Sequence, residues 1–212
     1  MEAHHIKIEK TAHYYTLGQA GPHIKKFWIV CHGYGQLAST FLERFRALEA
    51  ADTFILAPEG LSRFYWGGFV GPVVASWMTS KDRLDEIADY CQYLQGLYDH
   101  YLPQFAPDVQ ITLLGFSQGT ATQCRWLHRL QPRFDRLLLW AGLLPDDLDF
   151  RPLAEYLNAG ELHFVYGLQD PLLTEERRNW QLGFERDNGL RFTHHTFAGK
   201  HRVEEAALLQ FA

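Results

Sequence analysis

No stretch of this chain stays apolar for long. The most hydrophobic run, FVGPVVASWM at 69–78, is broken by Gly71 and Pro72 and falls well short of the ~20 residues of a membrane-spanning helix. The opening MEAHHIKIEK is polar and has no apolar core, so no signal peptide is expected and the reading is a soluble, cytoplasmic protein. Cysteine is scarce. Cys31, Cys91 and Cys124 are widely spaced. They make neither a disulfide framework nor a CxxC metal pair, and buried thiols in a reducing compartment are expected. An excess of positive charge is also missing. The net charge is −5 with no long basic run, which argues against nucleic acid as a partner. The adjacent pairs His4-His5 and His194-His195 lack a third ligand, so no metal site is expected. Repeats, low-complexity segments and linkers are absent, so residues 1–212 read as one domain.

What is present points to a large core. Hydrophobic residues make up 47% of the chain and aromatics 15%, enough to exclude disorder. HIKIEK and HYYTLG have the length of short strands. KFWIVC (26–31), TFILAP (53–58), VQITLLGF (109–116), RLLLWAG (136–142), ELHFVYG (161–167) and LRFTHHTF (190–197) read as further strands. Continuous apolar runs such as KFWIVC suit strands covered on both faces. Helical spacing runs through 39–49, 81–101, the segment after Ser117, 174–187 and 202–211. The fold class expected is α/β, with a mostly parallel central sheet of about eight strands and helices on both faces. In such sheets ligands bind beyond the C-terminal strand ends.

One of those ends carries ITLLGFSQGTA (111–121). Gly-x-Ser-x-Gly between a buried strand and a helix is a nucleophile elbow. A tight turn lifts the Ser117 hydroxyl clear of the backbone. Gly115 and Gly119 keep strand and helix close, and the helix points its free N–H groups at the serine. A serine hydroxyl needs a base, which a carboxylate in turn orients. After an elbow serine the order is Asp or Glu, then His. Asp170 follows the strand ELHFVYG and His201 follows LRFTHHTF. Both stand at strand ends that would bring them over Ser117. His194 and His195 are rival bases, but they lie inside a strand pattern. Asp146, Asp147 and Asp149 are rival carboxylates, one strand earlier.

Attack by serine creates an oxyanion that needs preorganised N–H donors. The backbone N–H of Gln118 is one expected donor. The N–H of Tyr34, between two glycines in the loop HGYGQ after KFWIVC, is the other. His32 reads as a structural residue of that loop. The segment 59–77, EGLSRFYWGGFVGPVVASW, is aromatic and glycine-rich without helical period. It is expected either to form an acyl-binding wall from among Phe64, Tyr65, Trp66, Phe69 and Trp77, or to be a surface loop packed on its own side chains.

These residues resemble a known family. Cys31-His32-Gly33-Tyr34-Gly35, Ser76-Trp77, Gly115-Phe116-Ser117-Gln118-Gly119, Gly167 with Asp170-Pro171, and Gly199 with His201 look like the phospholipase/carboxylesterase group of the α/β-hydrolase fold, which includes the acyl-protein thioesterases. The resemblance spans roughly residues 26–211. It implies a Ser117–His201–Asp170 triad, oxyanion donors at Tyr34 and Gln118, and hydrolysis of a small-molecule or lipid ester or thioester without a cofactor. The chain departs from the pattern at Gln36, where Asp is frequent, at Thr120, where Gly is common, and at Ala75, where Pro often stands. A peptidase or amide hydrolase with the same triad, and an inactive binding protein of the same fold, are the alternative readings.

Overall fold

The computed structural model describes residues 1–212. Its main sheet has seven strands: β1 (Tyr14–Leu17), β2 (Lys26–Cys31), β3 (Thr53–Pro58), β6 (Gln110–Phe116), β7 (Arg136–Trp140), β8 (Glu161–Gly167) and β9 (Phe192–Phe197). Their spatial order is β1-β3-β2-β6-β7-β8-β9. Only β1 runs antiparallel, along β3; every other pair is parallel. A separate antiparallel hairpin, β4 (Ser62–Tyr65) with β5 (Val73–Ser76), lies in the aromatic segment.

Six helices connect or flank these strands: α1 (Ala38–Leu42), α2 (Arg83–Tyr101), α3 (Gln118–Leu130), α4 (Ala154–Asn158), α5 (Glu175–Asp187) and α6 (Glu205–Leu208). Helix α2 packs on α3, while α6 meets the 3-10 turn Glu43–Leu48 that continues α1. Right-handed crossovers explain the division: the step from β2 to β3 runs one way along the sheet and the later steps run the other. The central strands are therefore covered on both faces, which is why all of β3 and all but the first residue of β2 are buried. Their side chains join Trp28, Trp126, Trp140 and Phe164 in one continuous apolar cluster. Helix α5 shows local start signals: Thr174 accepts a hydrogen bond from the Arg177 N–H at 3.3 Å, and Glu175 and Glu176 occupy the first turn.

The main sheet has seven strands where about eight were expected. The segment HIKIEK is not a strand. No strand pairs with it, and Ile6 and Ile8 are exposed. Its alternation lacks the sheet edge that would give it meaning. The terminal helix is shorter than 202–211, with a 3-10 turn from Leu209 to Phe211.

The winding direction reverses between β2 and β6, which are paired through Cys31↔Gly115. A crevice opens at such a switch point, beyond the carboxyl ends of the two strands. The loop His32–Gln36 and the elbow Ser117–Gly119 both begin there.

Candidate active site

Ser117 ends β6 and caps α3 with φ 54 and ψ −115. A non-glycine residue at this φ is strained, and such strain persists only where the surroundings hold it. Here they do. The Ser117 N–H donates to the Trp140 carbonyl at 2.8 Å, which extends the sheet ladder to the serine itself. Gly119 lets the helix start against the neighbouring strand: a Cβ there would lie 2.2 Å from the Cys31 carbonyl oxygen. Just past the end of the adjacent strand β7, Ala141 also has positive φ, at 53. Its N–H donates to the Val165 carbonyl at 2.8 Å.

Asp170 and His201 come together over the ends of β8 and β9. His201 Nδ1 lies 2.7 Å from Asp170 Oδ2. The other carboxylate oxygen, Oδ1, accepts the Leu172 N–H at 2.8 Å. The Asp170 carboxylate is wholly buried, while about a fifth of the His201 side chain is exposed. With Nδ1–H donated to Asp170, the Nε2 nitrogen is free to take a proton. The two loops are fastened to each other: Gln169 N–H donates to the Gly199 carbonyl and Leu168 N–H to the Phe197 carbonyl, both at 2.9 Å. The His201 ring packs on Phe116, the residue before the serine, with centroids 4.9 Å apart. Ser117 and His201 line one cavity. The serine hydroxyl makes no hydrogen bond within the protein, and such contacts often tighten only around a substrate.

All of the rival residues but Asp146 are engaged elsewhere. His194 pairs with Glu185 at 2.9 Å, and His195 with His163 at 3.0 Å. Asp147 binds Arg125 and Arg83. Burial opposes its charge, but the hydrogen bond from Arg125 and the charges of both arginines outweigh this and hold the carboxyl below its usual range. Asp149 pairs with Arg151, which brings it down to about 2. Asp146 is exposed and lines the cavity.

The N–H groups of Tyr34 and Gln118 have no hydrogen-bond partner. That of Gln118 is one of the orphan donors of the first turn of α3. The Gln118 side chain has a different task. Its Oε1 accepts the Trp77 N–H at 3.1 Å and its Nε2 donates to the Met78 carbonyl at 2.9 Å, so it ties the elbow to the end of the hairpin. His32 is buried and structural: its Nδ1 bonds the Gly33 carbonyl and its Nε2 accepts the Gly60 N–H. Burial lowers its pKa and keeps it neutral, against the Gly33 hydrogen bond.

Two of the departures from the family pattern meet in one contact. The Gly35 N–H donates to the Ala75 carbonyl at 3.0 Å, and the Ala75 N–H donates to the Gln36 carbonyl at 3.1 Å. A proline at position 75 could not make the second bond. The Gln36 side chain also accepts the Gly33 N–H at 2.8 Å, which braces the loop that carries Tyr34.

The cavity, about 620 Å³, is lined by Ser117 and by no residue of the hairpin. Its walls come from the loop after β7 (Leu143, Leu144, Pro145), the loop after β8 (Leu172, Leu173) and Trp180 of α5, with Ala121 and Arg125 of α3. Phe64, Tyr65, Trp66, Phe69 and Trp77 do not line it. Trp77 is buried and donates its Nε1–H to the His32 carbonyl at 2.9 Å, so its ring is core. Phe64 and Trp66 pack with Tyr34, with ring centroids 5.4 and 5.7 Å away. Tyr65 and Phe69 face outward. The hairpin therefore packs largely on itself, and the walls come from three segments that carry no chemical signature. Ala141, Leu172 and Trp180 were not anticipated from the sequence.

No protein-family model matches the chain, and no curated protein matches it in sequence. Solved structures do match. Esterase PE8 is 19% identical with a TM-score of 0.68, covering 95% of this chain and 96% of its own. Acyl-protein thioesterase 2 of Zea mays is 15% identical with the same TM-score and the same coverage. A phospholipase/carboxylesterase from Dyadobacter fermentans is 17% identical with a TM-score of 0.62, over 96% of both chains. The chain thus has the α/β-hydrolase fold, and esterases and thioesterases are prominent among the structures that share it. No helix is long and apolar enough to cross a membrane.

Proposed function

We propose that the protein is a serine hydrolase of carboxylic esters or thioesters, with Ser117 as nucleophile, His201 as base and Asp170 as its orienting partner. The observation that carries this reading is the pairing of His201 Nδ1 with the buried Asp170 at 2.7 Å beside an elbow serine on the same cavity. His201 Nε2 takes the Ser117 proton as the oxygen attacks the carbonyl carbon. Asp170 holds the tautomer and stabilises the imidazolium. The oxyanion meets the Tyr34 and Gln118 N–H groups, each worth roughly 3 kcal/mol in the transition state. The carbon–oxygen or carbon–sulfur bond breaks, and the alcohol or thiol leaves with the proton from His201. Water then gives its proton to His201 and attacks the acyl-serine. The acid departs and Ser117 regains its hydrogen. No step requires a cofactor.

A fluorophosphonate probe tests this directly. Covalent labelling of Ser117, lost in Ser117→Ala, is the expected result, together with turnover of p-nitrophenyl esters. An unlabelled Ser117 in folded protein would overturn the reading.

A further inference from the structure

The cavity has a direction. Ser117, Ala121 and Arg125 line it from successive turns of α3. Their spacing of four residues keeps them on one helix face and spreads them over ~12 Å. The serine stands at one end and a guanidinium at the other. Between them are Ala121, small enough to leave room, and the apolar walls Leu143, Leu144 and Leu173.

Arg125 is an unusual residue to find there. Its side chain is 9% exposed. One nitrogen donates to Asp147 at 2.8 Å, another lies 3.4 Å from the Met78 sulfur, and Nε has no partner. A guanidinium carries five N–H donors, and with Asp147, the Met78 sulfur and the neighbouring Tyr90 hydroxyl beside it, part of this one's capacity is still unused. Its charge is not cancelled locally either. Asp147 is shared with Arg83, so one carboxylate serves two guanidiniums. Asp146, Glu176 and Arg177 also line the cavity, but all three are exposed, where solvent screens them.

We propose that the substrate's acyl chain ends in a carboxylate, which Arg125 binds at the far end of this cavity. This rests on the ester-hydrolase reading above. The acyl arm is the one that stays on Ser117 between the two chemical steps, so a cavity running from Ser117 to Arg125 spans it end to end. The apolar walls suit the methylenes between. A carboxylate suits a guanidinium whose one carboxylate partner, Asp147, is shared with Arg83.

The test compares mono-p-nitrophenyl adipate and suberate with p-nitrophenyl hexanoate and octanoate, which have the same chain lengths but end in methyl groups. Fluorophosphonate labelling of Ser117 is run on the same protein and its variants. The expected result is a kcat/KM higher for the carboxylate-ended esters by about tenfold or more, as a charge-assisted contact provides. Arg125→Gln should bring that ratio close to one, and Arg125→Lys should keep part of it. Labelling of each variant shows that its site is still folded. Labelled protein with no preference for the carboxylate, or with a preference that Arg125→Gln leaves intact, overturns this proposal and spares the hydrolase reading. Failure to label the wild-type serine overturns both.

Discussion

Two regions border Ser117, and they are built in opposite ways. The hairpin side, residues 59–77, is rich in rings, and its rings meet one another: Tyr34, Phe64 and Trp66 form one cluster and Trp77 belongs to the core. The other side, formed by the loops after β7 and β8 with α5, takes most of its apolar surface from leucine, alanine and proline, with Trp180 its one ring, and it lines the space. Large flat side chains fill volume. Small and branched ones, held apart by strands and a helix, leave it. An aromatic composition therefore marks packing as readily as it marks a pocket.

The contrast can be broken at several points. The largest effect is expected at the serine, which both regions share. Ser117→Ala should lower kcat by about a million-fold with an unchanged melting curve; residual turnover near wild type would remove the serine from the chemistry. Asp170→Asn should cost about ten-thousand-fold in kcat, because the amide favours the wrong His201 tautomer. A loss of only a few fold would mean that the 2.7 Å contact is structural.

The two sides are compared directly by one substitution in each. Ala121→Phe fills the cavity floor and should reduce kcat/KM for octanoyl esters by about a hundredfold, and for acetyl esters much less. The ratio between the two chain lengths is the readout. Phe69→Ser, on the exposed hairpin, should change both by no more than about twofold. A tenfold loss there would return the hairpin to the substrate's path.

The smallest effect lies away from both regions, at the sheet edge. Burial lowers the pKa of His163 and of His195, and neighbouring charges modify each. The two rings share a hydrogen bond at 3.0 Å that needs one nitrogen without a proton. On acidification the unfolded chain takes up protons first. The stability this pair contributes is therefore complete above pH ~6.5 and is lost as the pH falls through the lowered folded values. Melting temperature should drop between pH 7.5 and 5, by on the order of 2–4 °C per kcal/mol lost for a chain of this size. His163→Gln should flatten that slope; an unaltered slope would assign the pH dependence to other groups.

The comparison also explains what could be read in advance. Strands β2 and β3 stand where their apolar runs predict, because a strand buried on both faces writes its limits into consecutive residues. The elbow was legible because its glycines are demanded by backbone contact, and Asp170 and His201 because strand order fixes where a loop must arrive. The cavity was not. Its walls converge from residues 121–125, 141–146 and 172–180, and no local pattern connects them. Helix α4 has five residues, too few to show a period. HIKIEK misled for the opposite reason: it has the alternation of a strand and no partner.

The latch formed by Gln118 divides the site into a fixed half and a free half. Its side chain answers to Trp77 and Met78, so position 118 is constrained by the neighbouring hairpin whatever the substrate is. None of the cavity walls beyond β7 and β8 is hydrogen-bonded to that side chain. Outside Asp170 and the backbone that holds it, mutations can accumulate in those loops and in α5 while the serine turn keeps its shape. Substrate range in this molecule is therefore open to evolution, or to a designer, independently of the machinery that would act on it.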